Sequence, residues 1–345
     1  MAVLVEVTRG MRVESWHIGA VAVVDATGNL VSSIGDIDSP VFPRSAIKGL
    51  QALPLVESGA AKTYELADEH LAIACASHNG EPEHVKTVSS MLAACGLDES
   101  HLECGAQSPR LEADQARLHK ADLAPTAIHN NCSGKHAGFL CFAQKAGFAP
   151  KGYVRHNHPV QKEVRQVLEQ MTGWSLQGEE GLDLCGTDGC SIPTYATPLR
   201  HLAQGFARFG TGLGLDASRA EAAAQIREAV ARKPYMVAGK DRFCTAVMEI
   251  FGARAFVKTG AEGVFCASLP EQGLGVAIKC WDGASRASEV MLAAVLDAFL
   301  PMSEGEAVAM EHWRSPKLSN WNGIEVGDVR LVDGVLSHLM QRKTV

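Results

Sequence analysis

No apolar run in this 345-residue chain approaches the roughly 18–20 residues that a membrane-spanning helix needs, which excludes that class. No cluster of Lys or Arg is present, and 32 basic against 39 acidic residues leave a net charge of −7, so nucleic acid is a poor partner. The opening MAVLVEVTRGMRVESWHIGA has no basic leader region, and its apolar stretch breaks at Glu6, so no export signal and a cytoplasmic location are expected. Repeats, low-complexity tracts and long linkers are absent. The glycines of Gly210-Thr211-Gly212-Leu213-Gly214 lack the G-x-G-x-x-G spacing and a preceding strand, which argues against nucleotide binding. There is also no P-loop, H-E-x-x-H or G-x-S-x-G.

What remains is a globular composition, 46% hydrophobic and 21% charged, of a length that predicts about two domains. Ten cysteines in an unexported chain point to core, metal or catalytic roles rather than disulfides. Cys75, Cys95, Cys104, Cys141, Cys266 and Cys280 lie mostly in apolar or helical text and read as small core residues. Cys132, Cys185, Cys190 and Cys244 stand among polar and glycine-rich neighbours and form the informative subset.

Apolar periodicity predicts strands over 3–7, 19–25 and 30–34, with a hairpin turn at Ala26-Thr27-Gly28-Asn29. Helical spacing then dominates, over 45–53, 67–75, 83–95, 112–121, 132–146, 158–171, 198–209 and 216–232. Strands return over 253–259, 263–268 and 275–281, followed by a helix over 286–300 that closes at Pro301. Strands and helices that segregate in this way predict an α+β fold, with one antiparallel sheet covered by the late helix. The expected domains are a discontinuous sheet domain (1–60 and 240–345) and a mainly helical lobe (61–239), with the active site at their junction.

Four motifs carry chemistry. In Pro43-Arg44-Ser45-Ala46-Ile47-Lys48, a helix would put Lys48 one turn from Ser45, where a deprotonated amine could take the hydroxyl proton. Alone, S-x-x-K is also the text of a helix cap followed by a solvated lysine. Lys258-Thr259-Gly260 ends a predicted strand, and K-T-G after S-x-x-K is the order found in serine acyl-transferases of the penicillin-binding type. Cys75-Ala76-Ser77-His78-Asn79-Gly80-Glu81 places Ser77 and Asn79 at the S-x-N spacing of a third element, so Ser77 could pair with Lys258. In His129–Gly138, Cys132, Lys135 and His136 share a helix face, and Asp183-Leu184-Cys185-Gly186-Thr187-Asp188-Gly189-Cys190 follows downstream. A thiolate from each segment, with a nitrogen or carboxylate, would suit a zinc ion, and spacing alone favours His136 over a lysine that must first lose a proton.

The text PRSAIKGLQALPLVESGA, CASHNGE, HNNCSGKHAGFL and DLCGTDGC resembles the asparaginase II family of the rhizobial type, and the resemblance runs over nearly the whole chain. It implies hydrolysis of L-asparagine to L-aspartate and ammonia on a serine β-lactamase-like fold, in a homodimer. It implies two Ser–Lys tandems, Ser45 with Lys48 and Ser77 with Lys258. It also implies a zinc ion on Cys132, Lys135 and Cys185. Arg44, His78, Asn79, Asp183 and Thr259 flank these motifs as candidate substrate-binding residues. The alternatives are another cytoplasmic serine amidohydrolase, of glutaminase or β-lactamase/peptidase type, and a non-catalytic zinc-binding module.

Overall fold

Ala20 to Val24 form an unbroken apolar run inside the strand Arg12–Asp25, and all five are buried. Successive strand residues face opposite sides, so such a run requires cover on both faces of its sheet. In a computed structural model, which describes residues 2–176 and 184–341, the cover comes from two helices. Gly19 pairs with Cys280 across the sheet, and a Cβ there would lie 2.6 Å from Met291, on the helix Ser285–Phe299. Gly275, on the opposite face, admits the backbone of the helix Leu199–Thr211, where a Cβ would meet the Ala203 carbonyl oxygen at 1.9 Å.

The sheet is antiparallel throughout, in the order Lys317–Ser319, Glu325–Leu331, Ala2–Arg9, Arg12–Asp25, Leu274–Cys280, Val264–Leu269, Phe256–Thr259, with Leu30–Ile34 also pairing to Arg12–Asp25. The expected early hairpin is present: Asp25 caps the turn by accepting from the Thr27 and Asn29 amides, and Gly28 takes φ +96°. The early and late strands share one sheet, and the helix Ser285–Phe299 lies on it, which makes the fold α+β as the text predicted.

The chain divides into two units, Met1–Ala46 with Ala196–Gly214 and Arg254–Val345, and Ile47–Tyr195 with Leu215–Ala253. This division differs from the expected one in three places. The helix predicted over 198–209 belongs with the sheet, because its apolar face of Leu202, Ala203 and Phe206 supplies the second cover. Residues 47–60 and 240–253 belong with the helices. The single helix predicted over 45–53 is a 3-10 turn Arg44–Ile47 and short helices Lys48–Gln51 and Leu53–Glu57, the last opened by Pro54. Among the described residues, the helices Ala60–Thr63, Tyr235–Ala238, Phe243–Phe251, Glu304–Arg314 and Val335–Met340 were not anticipated.

The helical unit is organised on Ser133–Ala146, whose residues Ser133 to Ala143 are all buried. Gly134 permits its crossing with the helix Asp68–Ala74, since a Cβ would stand 2.2 Å from the Ile73 carbonyl oxygen. The start of the central helix therefore lies against the segment that follows Ala74. No described helix is long and apolar enough to cross a membrane.

Gly275→Ala should lower the unfolding free energy in urea by about 1–3 kcal/mol or more, because helix backbone must shift to admit the methyl. Gly305→Ala, with nothing within 4 Å of the added Cβ, should be neutral or stabilise by up to ~1 kcal/mol.

Candidate active site

In the sheet unit, the peptide before Ser45 is under strain. Arg44 has φ +52°, a left-handed conformation that a non-glycine residue adopts at a cost of about 1–3 kcal/mol. Ser45 follows in the 3-10 turn and is partly exposed. Lys258 and Thr259 lie on Phe256–Thr259, the end strand of the sheet, and Lys258 is only 1% exposed. Lys258 Nζ donates to the Thr259 carbonyl at 2.8 Å, and the Thr259 hydroxyl to the Gly260 carbonyl at 3.4 Å. A Cβ on Gly260 would sit 2.6 Å from the Pro43 carbonyl oxygen and 3.1 Å from the Ala46 nitrogen. The glycine of K-T-G is thus what lets the strand end lie against the turn that bears Ser45.

In the helical unit, Lys48 is wholly buried. Its Nζ donates to the Ala76 carbonyl, to Ser77 Oγ at 3.0 Å and to Cys132 Sγ at 3.1 Å. A second buried lysine, Lys135, donates to Cys190 Sγ at 2.9 Å. Cys132 is held well below the ordinary thiol range by a hydrogen bond from Cys190 and by the two ammonium groups. Cys190 is pushed up, as the sulfur that keeps the proton. Burial works to lower Lys135, but the Cys190 and Cys132 sulfurs overcome it and raise the ammonium above ordinary lysine. One thiolate shared between two sulfurs and two lysines is the electrostatic centre of this unit.

His78 and Asn79 are buried beside Ser77, and both are fully engaged by protein groups. The Gly80 amide donates to His78 Nδ1 and His78 Nε2 meets Ser133 Oγ at 3.0 Å, which assigns the proton to Nε2. Burial, then the nearby His84 and Lys48, keeps this imidazole neutral, well below its usual range. Asn79 Nδ2 donates to Glu81 Oε1 and to the Lys240 carbonyl, while Oδ1 accepts from Arg242 Nη1 at 3.0 Å. Glu81 also accepts from the Tyr235 hydroxyl and the Lys240 amide. Burial would raise the Glu81 carboxyl, yet these bonds hold it below the usual carboxylate range.

The structure therefore brings Ser77, Lys48, Cys132 and Lys135 together, and sets Ser45 beside the K-T-G strand. It places Cys190, rather than Cys185, against Lys135. Cys185 is half-buried on the strand Cys185–Thr187, with its thiol directed to the Gly186 carbonyl. Asp183 lies outside the described residues. His136, which spacing favoured as a ligand, turns Nδ1 to the Tyr153 hydroxyl at 2.7 Å and leaves Nε2 buried without a hydrogen-bond partner. Cys132, Lys135 and Cys190 make a buried set of two sulfurs and one nitrogen, a chemistry that fits zinc provided Lys135 and a thiol give up protons. Another group, His17, Cys280 and Asp282, has its donors within 4.8 Å in the sheet unit. There Arg286 donates to His17 Nε2, and His17 and Cys280 donate to the two Asp282 oxygens, so the group is satisfied as a hydrogen-bond chain. Sequence reasoning missed Arg242 and left Cys190 open; the second cysteine of C-G-T-D-G-C was the available signal.

Because burial depresses both His78 and His84, the unfolded chain takes up protons first as pH falls below about 6.5. Stability should be fully present above that pH and decline below it, with each imidazole adding a slope of up to about 1.4 kcal/mol per pH unit. Urea midpoints between pH 7.5 and 5 should show the decline, and His84→Gln should flatten it.

No curated protein matches this sequence. Among solved structures, Mglu in its native form aligns at 14% identity and TM-score 0.44, over 83% of this chain and 65% of its own length. The chain thus spans just under two thirds of that protein. A beta-lactamase from Mycobacterium bovis aligns at 14% identity and TM-score 0.39, over 82% of this chain and 95% of its own. Simvastatin synthase from Aspergillus terreus, as a mutant, aligns at 12% and 0.38, over 76% and 85%. The model of the family described as L-asparaginase II matches residues 5–331, and the chain belongs to that family.

Proposed function

We propose that this protein hydrolyses the side-chain amide of L-asparagine to L-aspartate and ammonia through a serine acyl-enzyme. The observation that carries the reading is the buried Lys48 set against a serine, its Nζ donating to Ser77 Oγ. Lys48 is 3.0 Å from Ser77 Oγ and one turn beyond Ser45, while Lys258 lies on the strand whose Gly260 abuts the Ser45 turn. Membership of the L-asparaginase II family supports an amide as the substrate.

Ser45 Oγ attacks the amide carbon, and Lys48, in its neutral form, accepts the hydroxyl proton. Backbone N–H groups of Ser45 and of the strand bearing Lys258 stabilise the oxyanion, each donor being worth roughly 10²–10³ in rate. Collapse of the adduct breaks the C–N bond. The leaving nitrogen takes the proton through Ser77, which is hydrogen-bonded to Lys48, and departs as ammonia. Water then cleaves the ester and releases aspartate. Lys258 and Thr259 orient the substrate. Zinc, when bound, would be held by Cys132, Lys135 and Cys190 and would supply positive charge beside Lys48.

A coupled ammonia assay with asparagine and glutamine, with zinc quantified in the same sample, tests the reading. Asparagine should release ammonia, and Ser45→Ala should lower kcat by at least ~10³-fold. Near-normal turnover by Ser45→Ala together with loss in Ser77→Ala would transfer the nucleophile to Ser77. Lys48→Ala should lower kcat to a similar extent as Ser45→Ala. Zinc should be lost from Cys132→Ser and Cys190→Ser and kept by Cys185→Ser; the reverse for the last two returns Cys185 to the site.

A further inference from the structure

A small concavity of about 170 Å³ opens beside Ser77 in the helical unit. It is below the roughly 300–1,000 Å³ of pockets that take drug-sized ligands, and it suits a single small polar molecule. Arg110 and Arg242 line it together with Asn79, His129 and Asn131, and no acidic residue is among the described residues that do. Burial lowers His129, so at neutral pH the ring adds no charge and the wall carries the two guanidinium groups. The Glu81 carboxylate bonded to Asn79 is already held by Tyr235, Lys240 and Asn79 itself.

The same network sets the direction of Arg242. With both Asn79 amide hydrogens committed to Glu81 and the Lys240 carbonyl, only Oδ1 can face the guanidinium. Arg242 Nη1 donates to that oxygen at 3.0 Å and to the Ser77 carbonyl at 3.4 Å. The planar fork is thereby pinned at the edge of the pocket, against the backbone of Ser77. A fixed guanidinium with a second, exposed arginine in the same lining is an arrangement for a carboxylate.

We infer that this pocket, with Arg242 as its fixed anchor and Arg110 as its second cation, binds the α-carboxylate of the amino-acid substrate. The inference rests on the amidohydrolase reading only for the identity of that substrate; the pocket's claim is that the ligand carries a carboxylate. In asparagine two carbons separate the carboxylate from the amide carbon, so an anchor at Arg242 keeps the amide nitrogen within reach of Ser77, the hydroxyl through which the leaving nitrogen takes its proton. Asn79 then acts as a positioning residue, through Arg242.

The test compares L-asparagine with 3-aminopropanamide, which is asparagine without its carboxylate, in wild type, Arg242→Lys, Arg242→Gln and Arg110→Gln. Wild type should prefer asparagine in kcat/KM. Arg242→Gln should raise KM for asparagine about 10- to 100-fold with a smaller change in kcat, the loss expected for a hydrogen-bonded charge pair, and leave 3-aminopropanamide nearly unaffected. Arg242→Lys should recover part of the affinity, and Arg110→Gln, a change at an exposed side chain, should weaken asparagine alone. Equal losses on both substrates would overturn the assignment and make Arg242 a purely structural clamp, with asparagine hydrolysis by wild type still standing. Calorimetry with L-aspartate gives an arm independent of turnover. Arg242-dependent binding in a protein that releases no ammonia would keep the pocket and reject the reaction, and binding unchanged in Arg242→Gln and Arg110→Gln would reject the pocket.

Discussion

A fully buried amine is tolerable only where polar partners surround it, and Lys48 sets that condition for the helical unit. Its Nζ is met by a backbone carbonyl, a hydroxyl and a sulfur, supplied by two separate segments, 76–77 and Cys132. Neither segment can move without leaving that buried amine short of a partner. The Cys190 thiol, Lys48 and Lys135 in turn hold Cys132 well below the ordinary thiol range. The chemistry and the local architecture are therefore one constraint, and a substitution that removes any partner disturbs both.

Glycine at two crossings makes these contacts reachable. Gly134 lets the central helix press on the Ile73 carbonyl, which sets Cys132 and Lys135 beside the segment that begins at Cys75. Gly260 does the equivalent in the sheet unit, where the K-T-G strand end touches the Pro43–Ala46 turn. Both glycines lie inside motifs that the text singles out for their lysines and serines. In each case the small residue is as much a part of the motif as the reactive one, because backbone rather than side chain is what it admits.

Much of the sheet was legible because its signals are local or periodic. The run Ala20–Val24, the Asp25-capped turn and the three late strands each announce themselves within a few residues. The placement of the helix Leu199–Thr211 was not legible, since its apolar face would fit a bundle as well as a sheet. Only the two-sided burial of Ala20–Val24 and the bare backbone of Gly275 decide between them, and that is a long-range fact. Phe243–Phe251 escaped for another reason: its β-branched and aromatic content carries no helical bias, and tertiary packing overrides propensity there.

The site divides along the same line. Ser45, Lys48, Ser77, Cys132, Lys135 and Lys258 stand in short motifs whose residue types are unusual enough to notice. His78 and Asn79 stand in such a motif too, yet their atoms are spent inward, on Ser133, Gly80, Glu81, Lys240 and Arg242. Burial and saturated hydrogen bonding suit them to a frame, and both also line the concavity beside Ser77. Arg242 shows the converse. It stands in no motif, and its relation to Ser77 exists only because Gly239, at φ +103°, turns the chain so that the Lys240 amide and carbonyl can grip Glu81 and Asn79. A residue reached through a buried carboxylate, an oriented amide and a left-handed glycine leaves no mark in linear text, because each link is made by folding.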